Sequence, residues 1–404
     1  MSITITRLGH HGDGIAEGPI FAARTLPGEV ISGEIRDGRI AAPKILTPSP
    51  DRVAPPCRHY KSCGGCALQH ASDAFVAGWK QQVVSTALAA QGIKAQIGAV
   101  QTSPRNSRRR AVFSARRTKK GALVGFHARS SDMITEIPDC QLLMPQLLAL
   151  LPVLQKITVL AASRKSELRF TATHSEAGAD IDVRHAPTLD APMQMQLAAL
   201  AAQSGIARLV WNGEPIAEVC PPYQRFADCR VTPPAGAFLQ ATAQGEQALV
   251  AAVMRQLSGA GSVLDLFAGC GTFSLPAARF ARVHAVEGSA EMMAALELGW
   301  RRGSGLKQLT TETRDLFRRP LLPDELAAYD AVIIDPPRAG AEHQFQQIAL
   351  SRPKIVAVVS CNPVSFARDA AILLNAGYQM AEIEVVDQFR WSTHVELATC
   401  FTLQ

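Results

Sequence analysis

Gly261-Ser-Val-Leu-Asp265-Leu-Phe-Ala-Gly269-Cys-Gly271-Thr-Phe-Ser-Leu-Pro276 passes from a short apolar strand through two glycines into the start of a helix. A backbone that must approach a ligand closely needs glycine at such a turn, so Gly269 and Gly271 mark the nucleotide-cofactor turn of a Rossmann-like unit. The third glycine of the dinucleotide fingerprint is absent, which favours a compact adenosyl cofactor over a pyrophosphate one. About twenty residues on, Arg282-Val-His-Ala-Val-Glu287 ends in the carboxylate that accepts hydrogen bonds from ribose hydroxyls. A third strand is expected to end near Asp315, and a fourth is Asp330-Ala-Val-Ile-Ile-Asp335-Pro-Pro-Arg338. The alternation predicts an α/β fold, with a Rossmann-like domain over residues 231–404.

Working outward, the strand after Asp335 is Ile355-Val-Ala-Val-Val-Ser-Cys361-Asn-Pro363, which delivers a thiol to the carboxyl end of the sheet, where open α/β sheets place ligands. Pro336-Pro337 cannot continue a strand and hold Asp335 at the same edge. A helix over 364–376, a strand over 380–386 and a final strand from His394 complete the pattern, the last two forming a hairpin that closes the sheet's edge. Glu396 lies in that final strand between apolar neighbours; it either faces a cleft or points outward from an edge.

A thiol, carboxylates and a methyl-donor turn together select one chemistry. Oxygen and nitrogen acceptors need no cysteine, but C5 of a pyrimidine is too weak a nucleophile. A thiolate adding at C6 makes C5 an enolate carbon, and a base must then remove the C5 proton so that the thiol can leave. Cys361 fits the first role and Glu396 the second, while Asp335 is placed to hold the pyrimidine or the sulfonium side of the cofactor.

The first half supplies different signals. Glycine-punctuated β-branched runs over residues 1–52 predict a small β-barrel, and prolines from Pro43 to Pro56 mark a linker. Cys57, Cys63 and Cys66, with Cys140 downstream, form a four-thiolate set that suits tetrahedral zinc or an iron–sulfur cluster. The five-residue gap and the distant fourth cysteine argue mildly against zinc fingers. A helix is expected over 71–90. Between Gln101 and Ser131 stand nine Lys/Arg and no Asp or Glu, on a predicted hairpin whose charges suit a polyanion. Residues 53–230 thus read as a central α+β domain. Cys220 and Cys229 are expected to be structural. With 47% hydrophobic and 19% charged residues among 404, this is an ordinary globular chain. It has no readable signal peptide, membrane span or obligate protein partner, and the cytoplasm is the expected compartment.

Taken together, Leu264 to Pro276, Asp335-Pro-Pro-Arg338, Ser360-Cys-Asn-Pro363 with Ala367-Arg-Asp369, His394-Val-Glu396 and Phe238-x-Gln240 resemble the RNA uracil-C5 methyltransferase family, which includes the 23S rRNA and tRNA 5-methyluridine enzymes. The resemblance spans nearly the whole chain and is densest in its last 170 residues. It implies a class I S-adenosylmethionine-dependent methyltransferase domain with Cys361 as nucleophile and Glu396 as general base. Gln240, Phe267, Glu287 and Asp335 take cofactor roles, and Asp315 lies near the adenine. It further implies that the four cysteines hold a [4Fe-4S] cluster, that residues 1–52 are a TRAM-type (OB-like) RNA-binding barrel, and that the target is a uridine of 23S rRNA, with the tRNA T loop as alternative. A non-catalytic, metal-stabilised RNA-binding protein is the competing class. Thr242 and Thr272 depart from the family pattern, where asparagine is common, and Arg390-Trp391 replaces a proline-containing turn.

Overall fold

The computed structural model describes residues 2–403. Its organising layer is a largely parallel sheet at the C-terminal end of the chain. The order along it is Leu309–Thr313, Arg282–Glu287, Ser262–Leu266, Ala331–Ile334, Ile355–Ser360, Glu396–Thr402, Ile383–Asp387 and Ile97–Thr102. Side chains alternate between its faces with the period of two that a pleated strand dictates. Val263, Ile333, Ala357 and Val359 meet the helices Ala243–Gln256 and Ala290–Arg302. Leu264, Val332, Ile334, Val356 and Val358 meet Pro363–Asn375, Glu342–Ser351 and Asp73–Ala89. Both faces are covered, which is why these strands read as continuous apolar runs rather than as alternating ones.

Two expectations need correction here. The terminal hairpin does not form the edge. Glu396–Thr402 is inserted between Ile355–Ser360 and Ile383–Asp387, and the outer position belongs to Ile97–Thr102, which pairs in parallel with Ile383–Asp387. The strand Ile97–Thr102 and the helix Asp73–Ala89 therefore belong to the C-terminal sheet and its covering layer, although both fall within the stretch 53–230 read as a central domain. The hairpin Gln224–Phe226 and Cys229–Val231 likewise packs into the C-terminal core through Phe226, Cys229 and Val231.

The remainder of the central region is a seven-stranded sheet, in order Ile134–Glu136, Ala122–His127, Arg110–Arg117, Glu167–Ser175, Gly178–Arg184, Ile206–Trp211 and Glu214–Glu218. Its parallel pair, Gly178–Arg184 with Ile206–Trp211, is bridged by the helix Ala191–Gln203, as a parallel connection requires. Residues 2–47 form a six-stranded sheet that curls over its own small core of Ile5, Ala16, Ala22, Ile31 and Ile40.

Candidate active site

Asp335 follows the strand Ala331–Ile334, Cys361 follows Ile355–Ser360, and Glu396 opens Glu396–Thr402; these three strands are consecutive in the sheet. The register pairs Ser360 with Leu397, so the next position sets Cys361 opposite Glu396. The turns beyond the strands are tied together. Asn362 caps the following helix by accepting from Val364 N (3.1 Å), and its amide donates to the Arg338 carbonyl (2.9 Å). Ser365 donates to that same carbonyl (3.1 Å), and the buried carboxylate of Asp369 accepts from Ala341 N (2.9 Å). Asp369 thus shapes the loop after Asp335-Pro-Pro from behind.

Glu396 is 5% exposed, which removes the reading of an outward-pointing edge carboxylate. Burial, with Asp335 adding to it, pushes its pKa up to about 8, against the opposing effects of Gln388 and Lys80. Burial alone pushes Asp335 up to about 7. The Cys361 thiol is pushed up to about 11, first by burial and then by the charges of Glu396 and Asp335. The protein therefore presents a protonated thiol beside two carboxyl groups that exchange protons near neutrality, a combination suited to proton transfer around a covalent step.

The cofactor turn lies on the same edge. Glu287 accepts from Gly269 N (3.2 Å) through one oxygen and from Ser289 N (3.1 Å) through the other. Phe267 is held at a φ of 61°, unusual for a residue with a side chain, and its ring meets Phe317 at 5.5 Å. Asp315 stands two residues past its strand, exposed, accepting from Phe317 N (3.0 Å). The Gln240 amide oxygen accepts from Gln388 (2.6 Å), and its carbonyl accepts from Arg109 (3.1 Å).

Gln240, Phe267, Gly269, Glu287 and Asp315 line one cavity of about 720 Å3 together with Asp335, Cys361 and Glu396. That volume suits a cofactor with part of a substrate, and a Cβ on Gly269 would enter open space there. Gly271, expected as a cofactor contact, is not part of this wall. At a φ of 94° its missing Cβ would sit 2.3 Å from Leu296, so it lets the turn pack closely against the helix Ala290–Arg302 instead. Phe238, Met292, Phe317, Arg338, Phe389 and His394 also line the cavity and had not been assigned a role from sequence. Phe238 carried a signal of sorts, being a large apolar residue left 61% exposed.

Phe389 and His394 also belong to a second cavity of about 700 Å3, walled by Arg39, Arg108, Arg129 and His127. The Arg108 guanidinium lies 5.7 Å over the Phe389 ring. The basic run is accordingly not a uniform surface. Arg109, 8% exposed, pairs with Glu246 at 2.5 Å, and Arg110 donates to the Gly236 carbonyl. Arg105, Arg117, Lys119 and Lys120 are exposed. Thr242 caps the helix Ala243–Gln256 by accepting from Gly245 N (3.0 Å), a job asparagine performs equally well; nothing in the structure explains Thr272.

Cys57, Cys63, Cys66 and Cys140 line a single small cavity of about 20 Å3 with Tyr60, Phe126 and Ile137, and all four are free thiols. Burial raises Cys63 and Cys140 and pushes Cys66 up to about 12, with the neighbouring thiols adding to the effect. Among the described residues, no group of three or more His, Cys, Asp or Glu side chains is drawn together tightly enough to hold a metal ion. No helix among them is long and apolar enough to cross a membrane.

Residues 302–403 match the sequence model of the tRNA (uracil-5-)-methyltransferase family. An uncharacterised RNA methyltransferase of Rhizobium meliloti is 43% identical over 98% of this chain and 97% of its own length. The 23S rRNA (uracil(1939)-C(5))-methyltransferase RlmD of Shewanella piezotolerans is 31% identical over 100% of this chain and 96% of its own. The crystal structure of the tRNA (uracil-54, C5)-methyltransferase of Pyrococcus abyssi with S-adenosyl-L-homocysteine superposes with a TM-score of 0.80, covering 100% of this chain and 99% of that one at 20% identity. That likeness shows the class I methyltransferase fold that the family resemblance implied.

Proposed function

Because the chain belongs to the RNA uracil-C5 methyltransferase family and is an S-adenosylmethionine-dependent enzyme, we propose that it methylates C5 of one uridine in 23S rRNA through a covalent bond between Cys361 and C6. The observation that carries the reading is the meeting of Asp335, Cys361 and Glu396 across three consecutive strands on one cavity. S-adenosylmethionine supplies an electrophilic methyl group on a sulfonium. Cys361, as thiolate, adds to C6 and makes C5 nucleophilic. After C5 is methylated, Glu396 as carboxylate takes the C5 proton, the C5–C6 double bond re-forms, and the C6–S bond breaks to return the thiolate. Asp335 holds the pyrimidine or offsets the sulfonium charge. Gln240, Phe267, Gly269, Glu287 and Asp315 hold the cofactor, with Asp315 toward the adenine.

A uridine in folded RNA must be flipped out to reach this cavity, at a cost of about a few kcal/mol. The second cavity supports a path for the flanking strand, since it is rimmed by arginines and opens on Phe389 and His394. The curled sheet of residues 2–47 contributes Arg39 and His11 to that rim, which supports an RNA-gripping role for it. The all-thiol donor set around one cavity supports a [4Fe-4S] centre on Cys57, Cys63, Cys66 and Cys140, with tetrahedral zinc as the alternative. The rRNA target rests on the relative named for it; the structural neighbour named for tRNA supports the T loop as a second reading.

Release of tritium from C5-labelled RNA, with and without S-adenosylmethionine, tests the proposal on 23S rRNA and tRNA transcripts. Release from rRNA that requires the cofactor is expected. Release from tRNA alone would reassign the target, and none from either would end the covalent mechanism.

A further inference from the structure

The most deeply buried basic side chain among the described residues lies behind the proposed base. Lys80, on the helix Asp73–Ala89, is 0% exposed, and its Nζ reaches two groups: Asp387 Oδ1 at 2.5 Å and the His394 carbonyl at 2.8 Å. Asp387 ends the strand Ile383–Asp387, and His394 lies two residues before Glu396. The two strands pair through Val386 and Glu396, so one ammonium closes both ends of the connecting segment, residues 388–395. That segment carries Gln388, Phe389 and His394, and the last two separate the catalytic cavity from the arginine-rimmed one.

Taking a lysine wholly out of water is expensive and tolerated only with good partners. A purely packing position on a helix covering a sheet is better filled by leucine or methionine. What the site needs is charge. Around the Glu396 carboxyl, the flanking strands contribute Asp335 and the Cys361 thiol, the connecting segment contributes Gln388, and the helix contributes Lys80, which Asp387 balances from its other side. Arg338 and His394 line the cavity in front, with Arg338 acting on the Cys361 thiol, and Arg390 acts on Asp387; Lys80 is the cation that acts on Glu396 itself, from the sheet's interior.

We infer that Lys80 is a positioning residue for the C5-deprotonation step, its ammonium fixing the backbone ahead of Glu396 and setting the charge against which that carboxylate must form. The inference rests on the reading of Glu396 as the base. With Lys80 in place, Glu396 can lose its proton within reach of neutral pH. Without it, Asp335 opposes the charge with no cation behind Glu396 to offset it, and the strand opening is no longer pinned.

The experiment compares wild type, Lys80→Met, Lys80→Arg, Asp387→Asn and Glu396→Gln. The fraction of enzyme trapped as covalent RNA complex on denaturing gels is followed across pH 6 to 10, beside steady-state kcat and KM. Lys80→Met is expected to lower kcat at pH 7 by about tenfold or more, to leave KM for RNA within about twofold, and to move the pH at which the complex disappears up by about one unit. Lys80→Arg keeps the charge and restores much of the rate. Asp387→Asn, which leaves Lys80 with its charge less balanced, moves the same limb downward. That opposite sign keeps the inference testable should Lys80→Met fail to fold. Wild-type pH limbs in both Lys80→Met and Asp387→Asn, or a uniform loss of RNA and cofactor binding without a pH shift, would overturn the inference. If Glu396→Gln accumulates no complex, the reading of the base itself has failed, which is a separate result.

Discussion

Two of the protein's partly buried cysteines, Cys361 and Cys66, differ in what stands beside them. Cys361 and Cys66 are both pushed far above the ordinary thiol range by burial, to about 11 and about 12. Around Cys361 the neighbours are carboxyl groups that titrate close to neutrality, on a cavity large enough for a nucleobase and cofactor. Around Cys66 they are three further thiols, a tyrosine and apolar side chains, enclosing little more than the volume of a few atoms. Burial alone thus makes neither a nucleophile nor a ligand. A proton acceptor and room for a substrate point to the first; a set of matched thiol donors points to the second.

The comparison can be broken most decisively at Cys361. Cys361→Ser is expected to lower turnover by at least about 10^4-fold, because a hydroxyl does not add to C6, while leaving any metal content unchanged; tritium release beside metal analysis checks both halves. Glu396→Gln should slow turnover by about 10^2–10^4-fold and accumulate covalent protein–RNA complex. In the wild type the same step should quicken as pH rises toward about 8, since only the deprotonated carboxylate takes the C5 proton and its pKa is raised. A pH-independent elimination rate would break the assignment. Cys66→Ser is expected to lose visible absorption and iron after anaerobic purification and to melt at lower temperature, while its folded fraction still forms the covalent complex. Full metal retention in that variant would merge the two regions into one class. The smallest effect is expected at the hairpin tip. Lys119→Gln with Lys120→Gln should weaken RNA binding a few-fold and flatten its salt dependence by about one to two charges. An unchanged salt slope would remove the tip from the RNA interface.

Much of the C-terminal architecture was legible because it is local. A strand, a glycine turn and a helix start lie within sixteen residues, and the strand ends at Glu287, Asp335 and Cys361 were marked by the residues that stop a strand. The helix Pro363–Asn375 fell within a residue of its expected span, 364–376. Illegible were pairings made across the chain. Lys80 reads as an ordinary polar position of an amphipathic helix until His394, 314 residues away, is brought to it. Arg109 reads as one of nine like charges until Glu246 neutralises it from another element. Ile97–Thr102 carries too little apolar character to announce a sheet strand, and its pairing depends on Ile383–Asp387. Gly271 and Gly269 look equivalent in sequence, yet only the position of Leu296 tells packing from ligand contact.

The insertion of Glu396–Thr402 between two strands made before it has a consequence during synthesis. A ribosome that has completed Ile355–Ser360 and Cys361 has produced the thiol at that strand's end, but the strand that will lie against it is still untranslated. Until that strand arrives, Ile383–Asp387 and Ile97–Thr102 have no sheet to join. A message cut short before Glu396 therefore yields a thiol without its carboxylate partner, on a sheet left open along its middle.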